Sequence, residues 1–297
     1  MPRCHRDLLG DARVERFVKI RIWGCRGSIA TPGAGTIRYG GNTSCVEVRG
    51  DDGEVIVLDA GTGARPLGNL LMREPVPRVD LLLTHLHVDH LEGLGMFGPI
   101  WSPETELHIW GPPSPVASLD ERIATYFSPP LFPVHLSEVP SRVSFHDAPR
   151  EPWTIGSVTL TAHPILHPGA TVGFRLESGD RALAYVTDHE PALGTDLDAV
   201  STSWISGYAL AHRADVLIHD CQYTVQEYAA HVGWGHPSVA HVASFARRAE
   251  VDRLVMFHHH PEHDDDELDE MRGSMLEAWQ VHPARCMLAT EGAELEV

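Results

Sequence analysis

Short runs along the chain read as strands. Phe17–Trp23 alternates apolar and charged residues with period two, as a strand with one buried face does. Cys45–Val48 and Val55–Leu58 flank Asp51-Asp52-Gly53 and predict a hairpin, so the first three strands form an antiparallel meander. Val79–Leu83 is a continuous apolar run, as expected of a strand buried on both faces. Leu107–Gly111, Val158–Ala162 and the pair Thr171–Leu176 and Ala182–Val186 around Ser178-Gly179-Asp180 continue the pattern. Val216–Ile218, Leu254–Phe257 and Cys286–Ala289 complete it. Helical spacing predicts helices near Pro66–Met72, over Leu119–Phe127, through Asp198–His212, over Val239–Ala249 and over Asp266–Gln280. The proline-rich segment Ser128–Ser141 reads as an ordered loop near a binding mouth or dimer contact, or equally as a plain connector. Residues 1–16 are unpatterned and predict a loose arm, with residues 17–297 forming one domain.

The strands matter because of the side chains at their ends. Leu83-Thr84-His85-Leu86-His87-Val88-Asp89-His90 sets three histidines and an aspartate just after an apolar strand. In an extended segment His85, His87 and Asp89 share one side, and His90 joins them if the chain turns at Asp89, as Gly93 and Gly95 nearby allow. Imidazole nitrogen and carboxylate oxygen suit zinc and its first-row neighbours. Other strands end likewise: at Asp59 in Asp59-Ala60-Gly61-Thr62-Gly63, at His163 and His167, at Thr187-Asp188, at His219-Asp220, and at the run His258-His259-His260-Pro261-Glu262-His263. Function carried on loops of a rigid β scaffold is what a site assembled from distant segments requires.

His-x-His-x-Asp-His after a strand resembles the signature of the metallo-β-lactamase superfamily, and the resemblance runs from about Ile20 to Asp266. The phosphodiesterase branch, which includes ribonuclease Z and the cyclic phosphodiesterase of the carbon–phosphorus lyase pathway, looks nearer than the penicillin-cleaving enzymes. The resemblance implies an αββα sandwich, two mixed β-sheets flanked by helices. It also implies two metal ions, zinc with manganese or iron as alternatives, held by His85, His87, Asp89, His90, His167, Asp188 and His258. Asp188 would bridge. His163 competes with His167, and His259, His260 and His263 leave the last position open to slippage. His189 beside Asp188 departs from the family pattern. Asp59 either supports a metal-binding histidine or caps a helix; in sequence the two look identical. Gly235-His236-Pro237-Ser238 resembles the segment that carries the general acid in the ribonuclease Z branch, apart from Pro237, and Ile218-His219-Asp220 resembles the strand end that orients it. Catalysis would then fall to Asp89, His236 and Asp220, unless Gly-His-Pro-Ser merely caps the next helix.

Composition narrows the function. Twenty-three basic against 41 acidic residues give a net charge of −18, so a long nucleic acid is a poor first guess and a small anionic substrate, such as a cyclic nucleotide, a better one. Gly24-Cys25-Arg26-Gly27-Ser28 is glycine-rich but lacks the P-loop lysine. The five cysteines are scattered without Cys-x-x-Cys, which predicts reduced, mostly buried thiols and, with no signal-type apolar core after Met1, cytoplasmic residence. No run approaches the ~20 apolar residues that span a bilayer. The sequence thus predicts a dinuclear phosphodiesterase working through a metal-activated water on small cyclic or short nucleotide diesters. A lactone, lactam or thioester hydrolase on the same metals is the alternative, and a non-catalytic metal-binding sensor a more distant one.

Overall fold

The computed structural model describes residues 18–191 and 193–297; the expected arm lies outside them, as do Cys4 and Phe17. Six strands come first: β1 (Lys19–Gly24), β2 (Cys45–Arg49), β3 (Val55–Leu58), β4 (Arg78–Leu82), β5 (Glu106–Gly111) and β6 (Arg142–Asp147). Seven more build a second sheet: β7 (Trp153–Ile155), β8 (Val158–Pro164), β9 (Val172–Ser178), β10 (Arg181–Val186), β11 (Val216–Asp220), β12 (Arg253–Phe257) and β13 (Cys286–Leu288). The chain then returns to the first sheet as β14 (Glu294–Glu296), giving the orders β14-β1-β2-β3-β4-β5-β6 and β13-β12-β11-β10-β9-β8-β7.

Both sheets are mixed in the same way. The meanders β14-β1-β2-β3 and β7-β8-β9-β10 are antiparallel, while β3-β4-β5-β6 and β10-β11-β12-β13 are parallel. Between the sheets lies a core built from alternate positions, among them Ile20, Ile22, Val48 and Leu58 from one sheet and Leu160, Phe174, Leu176 and Ile218 from the other. Each sheet buries its outer face under helices. On the first, α1 (Ala64–Arg73) and α2 (Leu119–Tyr126) contribute Leu67, Leu71 and Ile123. On the second, α3 (Tyr208–Ala211), α5 (Val239–Arg248) and α6 (Asp265–Trp279) contribute Leu210, Phe245 and Met275, while the single turn α4 (Val225–Tyr228) lies in the loop after β11. The result is the expected αββα sandwich.

Three local expectations change. The helix expected over Asp198–His212 is broken into single 3₁₀ turns at Leu197–Ala199 and Thr202–Trp204 followed by α3. The Ser201 and Ser203 hydroxyls bond each other at 3.1 Å, and Gly207 sits at φ 71°, outside helical space. The strand β6 escapes the hydrophobic pattern because it is a half-exposed edge, and β7 and β14 because they are both short and partly exposed. The loop of residues 128–141 buries Phe132 and Leu136 in the core outside the first sheet. None of its residues lines the two clefts over the histidine cluster, so the expected place at a binding mouth is not met there. Cys25, Cys45, Cys221 and Cys286 are free and buried, as the sequence predicts. Among the described residues no helix is long and apolar enough to cross a membrane.

Candidate metal centre

Parallel pairing carries β3 and β4 in one sheet, and β10, β11 and β12 in the other, to the same edge of the sandwich. The residue after each strand therefore arrives at one place: Asp59 after β3, Thr84–His90 after β4, Asp188 after β10 and His258 after β12, with Asp220 ending β11. His167 comes from the turn between β8 and β9. Asp59, Asp188 and His258 have φ of 61°, 51° and 57°, left-handed values that cost a non-glycine residue on the order of 1 kcal/mol. The chain thus bends sharply at the point where each of these side chains leaves its strand.

Two four-residue groups result, with ligand atoms inside each within 4.8 Å of one another: His85, His87, His167 and Asp188, and Asp89, His90, Asp188 and His258. Asp188 belongs to both and divides its oxygens between them. Its Oδ2 lies 3.6 Å from His85 Nε2 and 3.8 Å from His167 Nε2, and its Oδ1 lies 3.0 Å from His90 Nε2 and 3.3 Å from His258 Nε2. Asp89 Oδ2 closes the second group at 3.2 Å from His258 Nε2 and 3.4 Å from His90 Nε2. Donors bound tetrahedrally at ~2.0–2.1 Å would stand roughly 3.3 Å apart, so these spacings fit an ion in each group.

The outward nitrogens show which way the lone pairs point. His167 Nδ1 donates to the Gly235 carbonyl at 3.0 Å, His90 Nδ1 to Asp59 at 2.9 Å and His258 Nδ1 to Gln222 Oε1 at 2.9 Å. His85 Nδ1 meets Thr84 Oγ1 at 3.1 Å, and its buried Nε2 has no hydrogen-bond partner at all. Each of these rings, when neutral, turns an Nε2 lone pair inward, an arrangement suited to a cation. His87 instead turns Nδ1 inward, 3.2 Å from His167 Nε2. Burial holds His85 well below the ordinary imidazole range, with His90 adding to the effect. His90 and His258 differ. Burial opposes their charge, but Asp188 and Asp89 outweigh it, raising His90 well above its usual value and pushing His258 up to about 9. The carboxylates call for positive charge, which divalent ions would supply in exchange for protons.

The choices left open by sequence resolve geometrically. His163 is exposed at the end of β8, whereas His167 faces the cluster. His259 is buried but bonds the Ala289 carbonyl at 3.0 Å, and His263 pairs with Glu227 at 2.8 Å. His189 turns away to His219, 3.0 Å distant. Asp59 is no helix cap: completely buried, it accepts from the Thr84 N–H, the Tyr185 hydroxyl and His90. Its loss would strand four buried donors, these three and the Thr84 hydroxyl, each costing ~1–3 kcal/mol. Asp59→Ala should therefore lower the urea-unfolding free energy by about 3 kcal/mol or more. A loss below about 1 kcal/mol would show that water replaces the carboxylate.

Above both groups opens a cleft of about 410 Å³ whose lining includes Ser28, Asp89, Asp188, His258 and His236. His236 donates through Nδ1 to the buried Asp220, 2.7 Å away, leaving Nε2 for the cleft. Asp220 is itself held by the backbone N–H groups of His189 and Gln222. Ser238 caps α5, so the Gly-His-Pro-Ser stretch serves the helix through Ser238 and the cleft through His236. Two supports escape the sequence reading. Glu190, buried, accepts from the N–H groups of Gly233 and Gly235 and from the Tyr228 hydroxyl, pinning the loop that carries His236. Gln222 orients His258. Nothing in the local sequence marks either one, since each acts on a distant segment. Gly235 has φ 93°, and a Cβ there would strike the His167 ring. The early glycine turn contributes too: the Ser28 N–H donates to Asp89 Oδ2 at 2.7 Å.

The profile of the beta-lactamase superfamily domain matches residues 54–259. A ribonuclease Z from Thermococcus gammatolerans is 28% identical over 251 aligned positions, covering 69% of this chain and 75% of that one. The metallo-β-lactamase fold protein YhfI from Bacillus subtilis superposes with a TM-score of 0.64 at 19% identity, over 95% of this chain and 100% of that one. A diphosphatase of the PhnP family gives a TM-score of 0.64 at 17% identity, over 95% and 97%.

Proposed function

The chain belongs to the metallo-β-lactamase superfamily, and on that premise we propose that it is a dinuclear metal-dependent phosphodiesterase of small cyclic or short nucleotide diesters. His85, His87 and His167 would hold one ion, Asp89, His90 and His258 the other, with Asp188 shared. Ions there would act as Lewis acids that polarise the phosphoryl oxygens and acidify a water.

The observation that carries the reading is His236, held from behind by the buried Asp220, in the lining of the same cleft as residues of both ligand groups. A diester releases an alkoxide, which needs a proton as it leaves. His236 is placed to give it from Nε2, while Asp220 fixes the ring through Nδ1 and stabilises the charged imidazole. Relatives named as a ribonuclease and a diphosphatase favour phosphoryl chemistry. The net charge of −18, with no lysine or arginine lining the cleft over the metals, favours small substrates over long RNA.

Protein reconstituted with zinc or manganese should retain about two ions per chain and hydrolyse bis(4-nitrophenyl) phosphate, losing both on chelation. One ion at saturation would sink the dinuclear reading. Turnover that survives chelation would sink the metal-dependent one.

A further inference from the structure

Leu86 and His87 line both the metal cleft and a second concavity of about 300 Å³, whose lining also includes His85, so the two adjoin at the ligand cluster. The lining of the second also includes Ser114, Arg122 and Gly169. Arg122 stands in the first turn of α2, and its side chain is only 17% exposed. Its Nη2 donates to the Pro112 carbonyl at 2.7 Å and its Nε to the Ser118 carbonyl at 3.3 Å, which aims the guanidinium without neutralising it. The nearest ion-pair partner is Asp147, 4.0 Å away and itself 58% exposed, too distant and too well solvated to pair tightly. A half-buried guanidinium held mainly by neutral carbonyls, in a chain of charge −18, keeps most of its positive charge for an anion in the concavity.

We propose that this concavity is a subsite for a terminal phosphate on the substrate, bound by Arg122 while the scissile diester lies over the metals. The inference rests on the diesterase reading and sharpens its substrate class. A 3′,5′-cyclic mononucleotide has one phosphate, which must occupy the metal cleft, so Arg122 would stand idle. A linear dinucleotide with a 5′-phosphate has one phosphate for each position. The planar guanidinium suits the phosphate because its free N–H edge can meet two oxygens at once.

The test compares steady-state kinetics on a dinucleotide bearing a 5′-phosphate and on the same dinucleotide with a 5′-hydroxyl, using metal-reconstituted protein. A hydrogen bond to a charged group is worth ~1.5–3 kcal/mol, so KM should be about 10–100-fold lower for the phosphorylated substrate. Arg122→Gln should raise KM for that substrate at least about tenfold more than for the other. Ser114→Asp places a negative charge in the same lining, where it competes with a phosphate for Arg122; it should bring the same selective loss, and it carries the test if Arg122→Gln does not fold. Equal KM values in the native protein, or equal losses on both substrates in the variants, overturn the subsite. Inactivity on both dinucleotides and on bis(4-nitrophenyl) phosphate overturns the diesterase reading, and the subsite with it.

Discussion

Replacing Asp188 with alanine should cut turnover by on the order of 10³-fold or more and leave fewer than two ions bound, while the fold survives. The expectation rests on its two oxygens, one facing His85 and His167 and the other His90 and His258. No other residue belongs to both of these ligand groups. The strand behind it does not depend on the carboxylate, because Leu183–Val186 pair with β11 through the backbone. Asp188→Gly separates chemistry from backbone. It removes the same carboxylate but relieves the left-handed strain at φ 51°, worth about 1 kcal/mol. The metal-free glycine variant should therefore unfold at higher urea than the alanine variant, with both equally inactive. An alanine variant that kept two ions and near-native turnover would reduce Asp188 to a turn residue after β10.

The second large effect belongs to His236. His236→Ala should keep metal and fold yet lose about 10²–10⁴-fold in rate on a diester with an alkyl leaving group. On a nitrophenyl diester, whose leaving group departs without a proton, the loss should shrink to about tenfold or less. Asp220→Asn should repeat the pattern more weakly, since Asp220 acts through the ring it orients. Asp220 also accepts from two backbone N–H groups, so a small loss common to both substrates is expected on top. The dependence on leaving group is the diagnostic reading. Equal losses for His236→Ala on both substrates would mean that the imidazole positions phosphate and gives no proton. No loss on either would leave Ser238 capping α5 as the whole role of the segment and make lactone or thioester hydrolysis the better description.

Much of the fold can be read from the sequence because the governing forces are local. Alternation and apolar runs locate β1 to β5 and β8 to β13, since each strand must bury one or both faces. The spacing of His85, His87, Asp89 and His90 shows that four side chains of metal-ligand type can converge within one loop. The segments that resist reading are those whose form depends on neighbours. The edge strand β6 is half-exposed and held by backbone pairing to β5, and the region around Asp198–His212 is divided by polar side-chain contacts and by Gly207.

Tertiary structure alone decided the relations between distant segments. The resemblance favoured His167 over His163 and His258 over His259, but residue spacing alone left a slip of register open. The choice falls to sandwich geometry, which leaves His163 exposed, turns His259 to the Ala289 carbonyl and brings His167 and His258 to Asp188. Asp59 became an acceptor for His90 because β3 and β4 pair in parallel and end side by side. Glu190, Gln222 and Arg122 acquire meaning only from what folds against them. A side chain's chemistry is written in its identity, but its partner is fixed by packing, which brings together residues far apart in the chain.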